Sequence, residues 1–309
     1  MTEFKYSKKF GVGPDWLGFN RETMDYANKL SPVMKSRVLK KMAEMEWCKC
    51  KDDIEYWLDA SQHLPTKAWP KGTPYVFTHD PHPMYKCNTC PPEEENFYPF
   101  HHLKGHLEFR HEIEEANPAR IRAYFHEIPS VRPFPYELPY IKPILDYWQT
   151  EPLFCIEKSR DMVATWTIVM MYTWDTLFHE GAQNIFQSLT AAKAYDLVDR
   201  AWRIYRAQPD FLKNVHKAVK TKGDMKGGVL EVASLGSMIM GFPQDPDTVR
   251  QFHPRGLFQD EAAFMPKAGD SFAAAKPTIQ NGGRYTAISS ANPGWFQMLA
   301  EDKLEEFEE

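Results

Sequence analysis

The second half of the chain alternates short apolar segments with helical ones, and this alternation constrains the fold more than any other feature. Two helices are predicted, over residues 165–180 and 191–207, and the second has its apolar residues on one face. Strands that alternate with helices are typical of a parallel sheet covered by helices. The pattern therefore predicts an α/β fold. The predicted strands cover residues 153–157, 184–189, 229–233, 256–259 and 284–290.

The first 130 residues have a different character, because they are rich in proline, histidine, tryptophan and tyrosine. Their clearest helical pattern covers Glu22–Trp47, with Ser31-Pro32 as a cap and first turn. Residues 128–143 are so dense in proline that neither a helix nor a central strand is expected to pass through them. We therefore predict an irregular, mostly helical accessory region at residues 1–130 and an α/β core at residues 131–309.

Charge and hydropathy narrow the function classes. The chain has 37 basic and 42 acidic side chains, a net charge of −5, so any contact with nucleic acid must come from local patches. The longest apolar stretch, Ala164–Leu177, is interrupted by polar residues and is too short for a bilayer core of about 30 Å. The N-terminus has lysines but no apolar run after them, so no secretory signal is predicted. These observations favour a protein that stays in the cytoplasm where it is made.

The five cysteines favour reduced thiols or a metal over a disulfide framework, because their number is odd and no secretory signal precedes them. Cys87 and Cys90 form a C-x-x-C pair, which fits one half of a zinc knuckle. A second pair with suitable spacing is not evident, so free thiols in a loop remain the alternative. Further soft ligands are available at Cys48, Cys50, His101, His102 and His106.

A carboxylate pair ends one of the predicted strands, in the segment GLFQDEAAF. In P-loop ATPases a carboxylate at this place holds hydrated magnesium, and a second one beside it polarises the attacking water. Asp260 is therefore a candidate Mg²⁺ ligand and Glu261 a candidate catalytic residue. The alternative is an acidic strand end that faces solvent.

The segment FCIEKSRDMVATW predicts a strand, a loop and a helix that begins near Ala164. Such a loop directs backbone N–H groups and a helix N-terminus at phosphate. Lys158 and Arg160, on either side of Ser159, would supply positive charge, and Thr165 would place a hydroxyl on magnesium. The loop contains no glycine and matches G-x-x-x-x-G-K-[ST] poorly, so this segment alone does not establish phosphate binding.

Two further segments carry weaker signals. The strand RYTAISS opens into a polar turn in which Ser289, Ser290 and Asn292 could sense phosphate, although an ordinary Asn-Pro-Gly turn is equally compatible. The basic stretch 211–228 reads as a helix end and a glycine-closed loop. It could track a DNA backbone without base readout, or it could be merely solvated. Its candidate DNA-binding residues are Lys217, Lys220 and Lys222.

The order of these motifs resembles the large terminase subunits of tailed bacteriophages from about residue 47 to the end. The resemblance rests on the segments KCKDDIEYWL, PFPYELPYIKPIL, KSRDMVATW, DTVRQFHPRGLFQDEAAFMPKAG and PTIQNGGRYTAISSANPG. It implies a P-loop NTPase-type sheet flanked by helices. It also implies a motor subunit that hydrolyses ATP with Mg²⁺ and drives double-stranded DNA into a procapsid.

The resemblance assigns roles to individual residues. Lys158 takes the place of the phosphate-loop lysine, which in these terminases often lies at the start of the loop. Arg160 and Thr165 take the arginine and hydroxyl positions of the same loop. The resemblance gives Arg250 the role of an arginine finger that acts across a subunit boundary, with a surface ion pair as the alternative. The carboxylate pair takes the magnesium and catalytic positions, and Ser289 to Asn292 form the coupling motif.

The resemblance also implies partners. These are double-stranded DNA, the viral portal protein, the small terminase subunit and further copies of the chain in a ring on the portal, in the cytoplasm of the infected host. Because the sequence ends soon after the coupling motif, no nuclease part is expected from it. The alternatives are a catalytically degenerate packaging scaffold or DNA-binding protein, and another P-loop enzyme such as a helicase, which the absence of a later helicase-like motif disfavours.

Two positions depart from the family pattern. Val163 stands where a glycine is usual, and a β-branched residue resists the positive φ that glycine permits. We expect a loop adapted to valine, which Val163→Gly would loosen so that nucleotide affinity falls. Ile141 stands where a glutamine that contacts adenine is expected. Tyr140, with Pro139, could still stack on the purine.

Overall fold

The computed structural model describes residues 26–63, 72–78, 132–159, 162–221, 228–252 and 254–302. Its helices are α1 (Pro32–Asp52), α2 (Ile54–Leu58), α3 (Ile141–Thr150), α4 (Ala164–Phe178), α5 (Ala191–Ala207), α6 (Asp210–Lys213), α7 (Pro246–Phe252), α8 (Ala268–Gln280) and α9 (Trp295–Ala300). Its strands are β1 (Phe77–Thr78), β2 (Arg132–Pro133), β3 (Leu153–Glu157), β4 (Gln183–Ser188), β5 (Val219–Thr221), β6 (Val229–Val232), β7 (Ser237–Pro243), β8 (Gly256–Asp260) and β9 (Arg284–Ser289). Single 3-10 turns cover Ala60–Gln62 and Ala262–Phe264.

A seven-stranded sheet organises the fold, with the strand order β3-β9-β8-β4-β7-β6-β5. The first five strands in this order, β3-β9-β8-β4-β7, run parallel to one another. At the other edge β6 pairs antiparallel with β7, and β5 pairs antiparallel with β6. The predicted α/β class, a mainly parallel sheet flanked by helices, is confirmed.

Apolar side chains fill both faces of the sheet. Helix α4 is buried on nearly every side, as expected for a helix that is apolar all round. It contributes to the larger core, together with Phe186, Phe258 and Ile288 from the sheet. The smaller core lies on the other face and contains Leu257 and Phe272. Each fully buried side chain of this size stabilises the fold by about 1.5–3 kcal/mol relative to exposure.

Strand β9 determines how the strand ends meet. It lies between β3 and β8, with Ser289 opposite Glu157 and Ile288 opposite Asp260. Because parallel strands end at the same edge of a sheet, the segments that follow β3, β8 and β9 emerge side by side. Ligands bind at this carboxyl edge in open α/β sheets.

The chain divides into two compact units, residues 1–77 with 134–309 and residues 78–133. In the second unit, Thr78, Arg132 and Pro133 are the described residues. In the first unit, the N-terminal helices share the larger core with the sheet: Trp174 Nε1 donates a hydrogen bond to the Cys50 carbonyl at 2.6 Å, and Cys50 is 0% exposed. The boundary near residue 130 stays a prediction.

Most differences from the predicted elements have a local cause. The predicted cap and first turn at Ser31-Pro32 is confirmed, with Ser31 Oγ accepting from the Met34 N–H at 3.4 Å, but helix α1 continues past the predicted end at Trp47 to Asp52. Helix α3 starts inside the proline-rich stretch, which contradicts that prediction for its last three residues. Pro143 lies in the first turn, where a missing N–H costs nothing.

The basic stretch 211–228 also differs from its prediction. Helix α6 ends at Lys213, and residues 219–221 form the edge strand β5, which was not predicted. Residues 222–227 lie outside the described part of the chain. Separately, within the described ranges no helix combines the length and the apolar character that crossing a membrane requires.

Candidate nucleotide-binding site

The ends of β3, β8 and β9 bring the predicted phosphate loop and the carboxylate pair together. Lys158 follows β3, and its backbone N–H donates to the Ser289 carbonyl at 2.9 Å. Its ammonium lies 3.1 Å from Glu261 Oε1, with the two side chains 11% and 32% exposed. A lysine and a glutamate 103 positions apart in the sequence therefore form one half-buried ion pair.

Glu261 leaves β8 in the left-handed backbone region, with φ 59° and ψ 43°. A non-glycine residue in this region costs about 1–3 kcal/mol. The turn redirects the chain at once, so the Glu261 side chain leaves the strand and meets Lys158. Backbone strain at a residue that is also a catalytic candidate is typical of functional sites.

Asp260 and Thr165 form the second contact of the site. Thr165 Oγ1 donates a hydrogen bond to Asp260 Oδ1 at 3.1 Å. Burial raises the pKa of Asp260 to about 6, with the Glu261 charge as a second cause. Lys158, Arg200 and the Thr165 hydrogen bond oppose the rise in this pKa.

The Thr165 hydroxyl and the Asp260 carboxylate together suit Mg²⁺ as oxygen ligands. The described residues contain no group of three or more His, Cys, Asp or Glu side chains that could hold a metal ion. Mg²⁺ does not require such a group, because it keeps several waters and binds one or two carboxylates together with substrate phosphates. A threonine hydroxyl beside a strand-end aspartate is the protein part of the magnesium site in P-loop NTPases.

Val163 caps α4 in the left-handed region, with φ 55° and ψ 7°. Its carbonyl accepts from the Thr167 backbone N–H at 3.0 Å and from Thr167 Oγ1 at 3.1 Å. Its side chain packs against the larger core. The loop therefore keeps, with a valine, the conformation that a glycine would adopt more easily. Arg160 lies outside the described residues.

A cavity of about 570 Å³ opens beside the phosphate loop. Lys158, Ser159 and Ala164 line one part of it, and Pro139 and Tyr140 line another. Further carbon surface comes from Pro143, Ile144, Tyr147, Ile156 and Met162, and Glu157 completes the lining. Cavities of 300–1,000 Å³ with mostly apolar walls and a few polar groups are typical of small-molecule sites. The predicted base and phosphate residues thus share one cavity.

The predicted coupling residues contact the carboxylate turn. Ser289 Oγ accepts from the Ala263 backbone N–H at 3.2 Å, and Asn292 Nδ2 donates to the Ala263 carbonyl at 3.0 Å. Ala263 is the second residue after Glu261. Ser290, the residue after Ser289, is half-buried. Two side chains from the end of β9 therefore hold both backbone groups of one residue beside Glu261.

Solved structures that match the chain include large terminases of bacteriophages. The ATPase domain from Thermus phage P74-26 matches with 17% identity over 49% of this chain and 66% of that one, at a TM-score of 0.39. The HK97 large terminase matches with 15% identity over 57% and 38%, at a TM-score of 0.46. The large terminase of a thermophilic bacteriophage in complex with ADP matches with 14% identity over 54% and 42%, at a TM-score of 0.36.

The chain resembles bacteriophage large terminases. The chain spans 38% to 66% of the length of these three structures, and at such identities the likeness concerns the fold. No protein-family model matches the chain, and no curated protein matches it significantly.

Several residues that the terminase resemblance or the sequence pattern singled out do not join this site. Arg250 lies on α7 and pairs with Asp247 at 2.7 Å, with side chains 59% and 72% exposed, which agrees with the surface ion pair considered above. Lys220 pairs with Asp199 at 2.5 Å and lies over the Tyr195 ring, whereas Lys217 is exposed. Cys87, Cys90, His101, His102, His106 and Lys222 also lie outside the described residues.

Two further residues considered in the sequence analysis are buried in the core. Ile141 is 0% exposed in the core, while Tyr140 lines the cavity. Cys50, considered among the possible zinc ligands, is packed in the core, and burial raises the pKa of its thiol.

Arg200 on α5 is a residue that the sequence did not single out. Its guanidinium lies 5.2 Å from the ring centre of Trp166, which follows Thr165, and its charge lowers the pKa of Asp260. It also pairs with Asp196 at 3.1 Å. The helix was predicted, but its periodicity does not indicate which charged side chain turns towards the strand ends.

Proposed function

We propose that this chain is an ATP hydrolase and the motor subunit of a viral DNA-packaging terminase. The observation that carries the hydrolase part is the pairing of Lys158 with Glu261 and of Thr165 with the adjacent Asp260, next to a cavity that Lys158 lines. The packaging role rests on the order of the sequence motifs. DNA, the portal protein, the small terminase subunit and a ring of further copies are the partners implied by that role.

The nucleotide is held by two groups of residues. Tyr140 and Pro139 stack on the base, and the apolar wall of the cavity excludes water from it. Lys158 and the backbone of the loop from Ser159 to Ala164 bind the phosphates, with Arg160 as an additional cation. When phosphate arrives, the ammonium of Lys158 exchanges the Glu261 carboxylate for phosphate oxygens.

This exchange prepares hydrolysis. Glu261, released from its ion pair, orients the attacking water towards the terminal phosphate and accepts its proton. Thr165 and Asp260 would hold Mg²⁺, which when bound neutralises charge on the phosphate oxygens. Ser289 and Asn292 keep the turn after Glu261 in place through Ala263. Arg250, exposed on α7, would complete the site of a neighbouring copy.

A packaging scaffold without turnover is a second candidate. The observations that favour it are the two departures from the terminase pattern, Val163 in place of the usual glycine and Ile141, buried in the core, in place of the glutamine that contacts adenine. Purified chain that binds ATP with Mg²⁺ but does not hydrolyse it, with or without double-stranded DNA, would support the scaffold.

The decisive experiment compares the wild type with Glu261→Gln. Glutamine keeps the shape but cannot accept a proton, so we expect ATP binding to persist and turnover to fall at least about a hundredfold. Glu151→Gln, an exposed substitution before β3, is the control and is expected to change neither. Turnover retained in Glu261→Gln would contradict the assignment of this residue.

A further inference from the structure

The hydroxyl of Ser188 is buried and has no hydrogen-bond partner among the described residues. The residue is 0% exposed. A buried hydroxyl without a partner destabilises a fold, because it has given up its hydrogen bonds to water. Such a group calls for a physical reason, and a ligand that is bound during function is one.

The register of the sheet places Ser188 beside Asp260. Strand β4 pairs with β8 so that Gln187 lies opposite Gln259, and the amides of these two side chains are hydrogen-bonded at 3.0 Å. They therefore point to the same face. Because side chains alternate along a strand, Ser188 and Asp260, the next residues, share the opposite face. Neighbouring strands lie only about 4.8 Å apart.

That opposite face is the one covered by α4. Two residues before Ser188 and Asp260, the rings of Phe186 and Phe258 meet at 5.4 Å in the larger core. Thr165, on the first turn of α4, donates to Asp260 Oδ1. The Ser188 hydroxyl therefore belongs to the immediate surroundings of the candidate magnesium carboxylate.

We propose that Ser188 is a positioning residue of the magnesium site, whose hydroxyl donates a hydrogen bond to Asp260 when this carboxylate binds Mg²⁺ with a nucleotide. The proposal rests on the function proposed above. Thr165 donates to Asp260, but the Thr165 oxygen would itself be a ligand of the bound ion. A ligating carboxylate is oriented by outer donors, and their loss typically weakens metal binding about 10–100-fold. Ser188 supplies such a donor.

The structure provides a matched control in Ser271 on α8. Its hydroxyl is likewise buried and without a partner among the described residues, and the residue is 0% exposed. It lies on a helix of the other face, where Phe272 and Ala275 belong to the smaller core. Ser271→Ala and Ser188→Ala thus remove the same group from equally buried places, and only one of these places adjoins Asp260.

The test measures Mn²⁺ binding by electron paramagnetic resonance in the presence of ADP. We expect Ser188→Ala to bind Mn²⁺ at least about tenfold more weakly than the wild type, and Ser271→Ala to bind it equally well. ADP binding in EDTA should be the same in all three proteins, because the Ser188 hydroxyl acts only on the Asp260 carboxylate that binds the metal. Without metal, Ser188→Ala and Ser271→Ala should melt at the temperature of the wild type or slightly above it, because each removes a buried hydroxyl without a partner.

The outcomes are distinguishable. A wild type that binds neither ADP nor Mn²⁺ with ADP overturns the proposed function, and this inference with it. If the wild type binds ADP and Mn²⁺ and Ser188→Ala binds Mn²⁺ with unchanged affinity, the inference is overturned but the proposed function is not. The inference also fails if Ser188→Ala weakens ADP binding in EDTA or melts well below Ser271→Ala, since the hydroxyl would then have a structural role.

Discussion

The ammonium of Lys158 lies 3.1 Å from the carboxylate of Glu261, so the two charges neutralise each other. In the proposed mechanism, a phosphate that binds Lys158 replaces Glu261 as its partner. Nucleotide binding would then release the candidate catalytic carboxylate in the same event, and Glu261 would not act as a base before phosphate is bound.

Removing the lysine tests this relationship. In Lys158→Ala the phosphates lose their main cation, and we expect ATP affinity to fall at least about tenfold, equivalent to about 1.4 kcal/mol. Lys193→Ala, an exposed lysine on the first turn of α5, is the control and should bind ATP normally. Calorimetric titration measures both. An unchanged affinity in Lys158→Ala would remove this residue from the site.

The contacts of Ser289 and Asn292 with Ala263 predict a specific kinetic signature. Asn292→Ala should lower kcat about tenfold and leave the dissociation constant for ATP unchanged, because the side chain acts through the turn that carries Glu261. In a Glu261→Gln background the same substitution should cause no further loss, since residues that act as one unit are not additive. Asn281→Ala, at the exposed end of α8, is the control. Additive losses would contradict the mechanism.

The raised pKa of Asp260 predicts that function and stability conflict at this residue. Burial raises this pKa from 3.8 to about 6, so the folded chain binds the proton more tightly than the unfolded chain. The stability that this tighter proton binding contributes is fully present below the pKa of the unfolded chain, and it is lost as the pH rises through about 6. At pH 8 without metal, the ionised group therefore costs stability, at most about 3 kcal/mol.

Asp260→Asn removes that cost. Without metal we expect it to raise the melting temperature at pH 8, and the difference from the wild type should shrink towards pH 4. Differential scanning calorimetry over this pH range, in EDTA, measures the effect. A lower melting temperature for Asp260→Asn at pH 8 would show that the ionised carboxylate stabilises the fold.

The left-handed conformation of Val163 predicts an unusual order of stabilities. Val163→Ala and Val163→Gly both lose the packing of the valine side chain, but only glycine relieves the backbone, by about 1 kcal/mol. Val163→Gly should therefore be more stable than Val163→Ala, the reverse of the usual order within a helix. Chemical denaturation measures the difference, and the reverse result would exclude a positive φ at this position.

The conformation of Val163 also revises the prediction for nucleotide binding. The sequence suggested a loop adapted to valine that glycine would loosen. Because the observed φ of 55° is one that glycine adopts readily, we now expect Val163→Gly to keep its ATP affinity. Calorimetry on the same two variants checks this, and a marked loss of affinity would restore the original expectation.

The sequence by itself determined the local elements and the residue types at the strand ends. Strand β3 and helix α5 have the predicted bounds, because alternation and helical periodicity depend on neighbouring residues alone. Asp260 and Glu261 were recognisable since a carboxylate pair directly follows an apolar strand. Strand β7 was missed, because a strand buried on both faces lacks alternation and Gly241 interrupts its apolar run.

Only the tertiary structure decided which of these residues meet. Strand β9, the last along the chain, inserts between β3 and β8, and this order brings Lys158, Ser289 and Glu261 to one place. Arg200 and Ser188 join the surroundings of Asp260 through helix packing and strand register. The left-handed turn at Val163 depends on the core that holds its side chain. Strand order, register and backbone strain arise from contacts between segments far apart in sequence, and local periodicity carries no information about them.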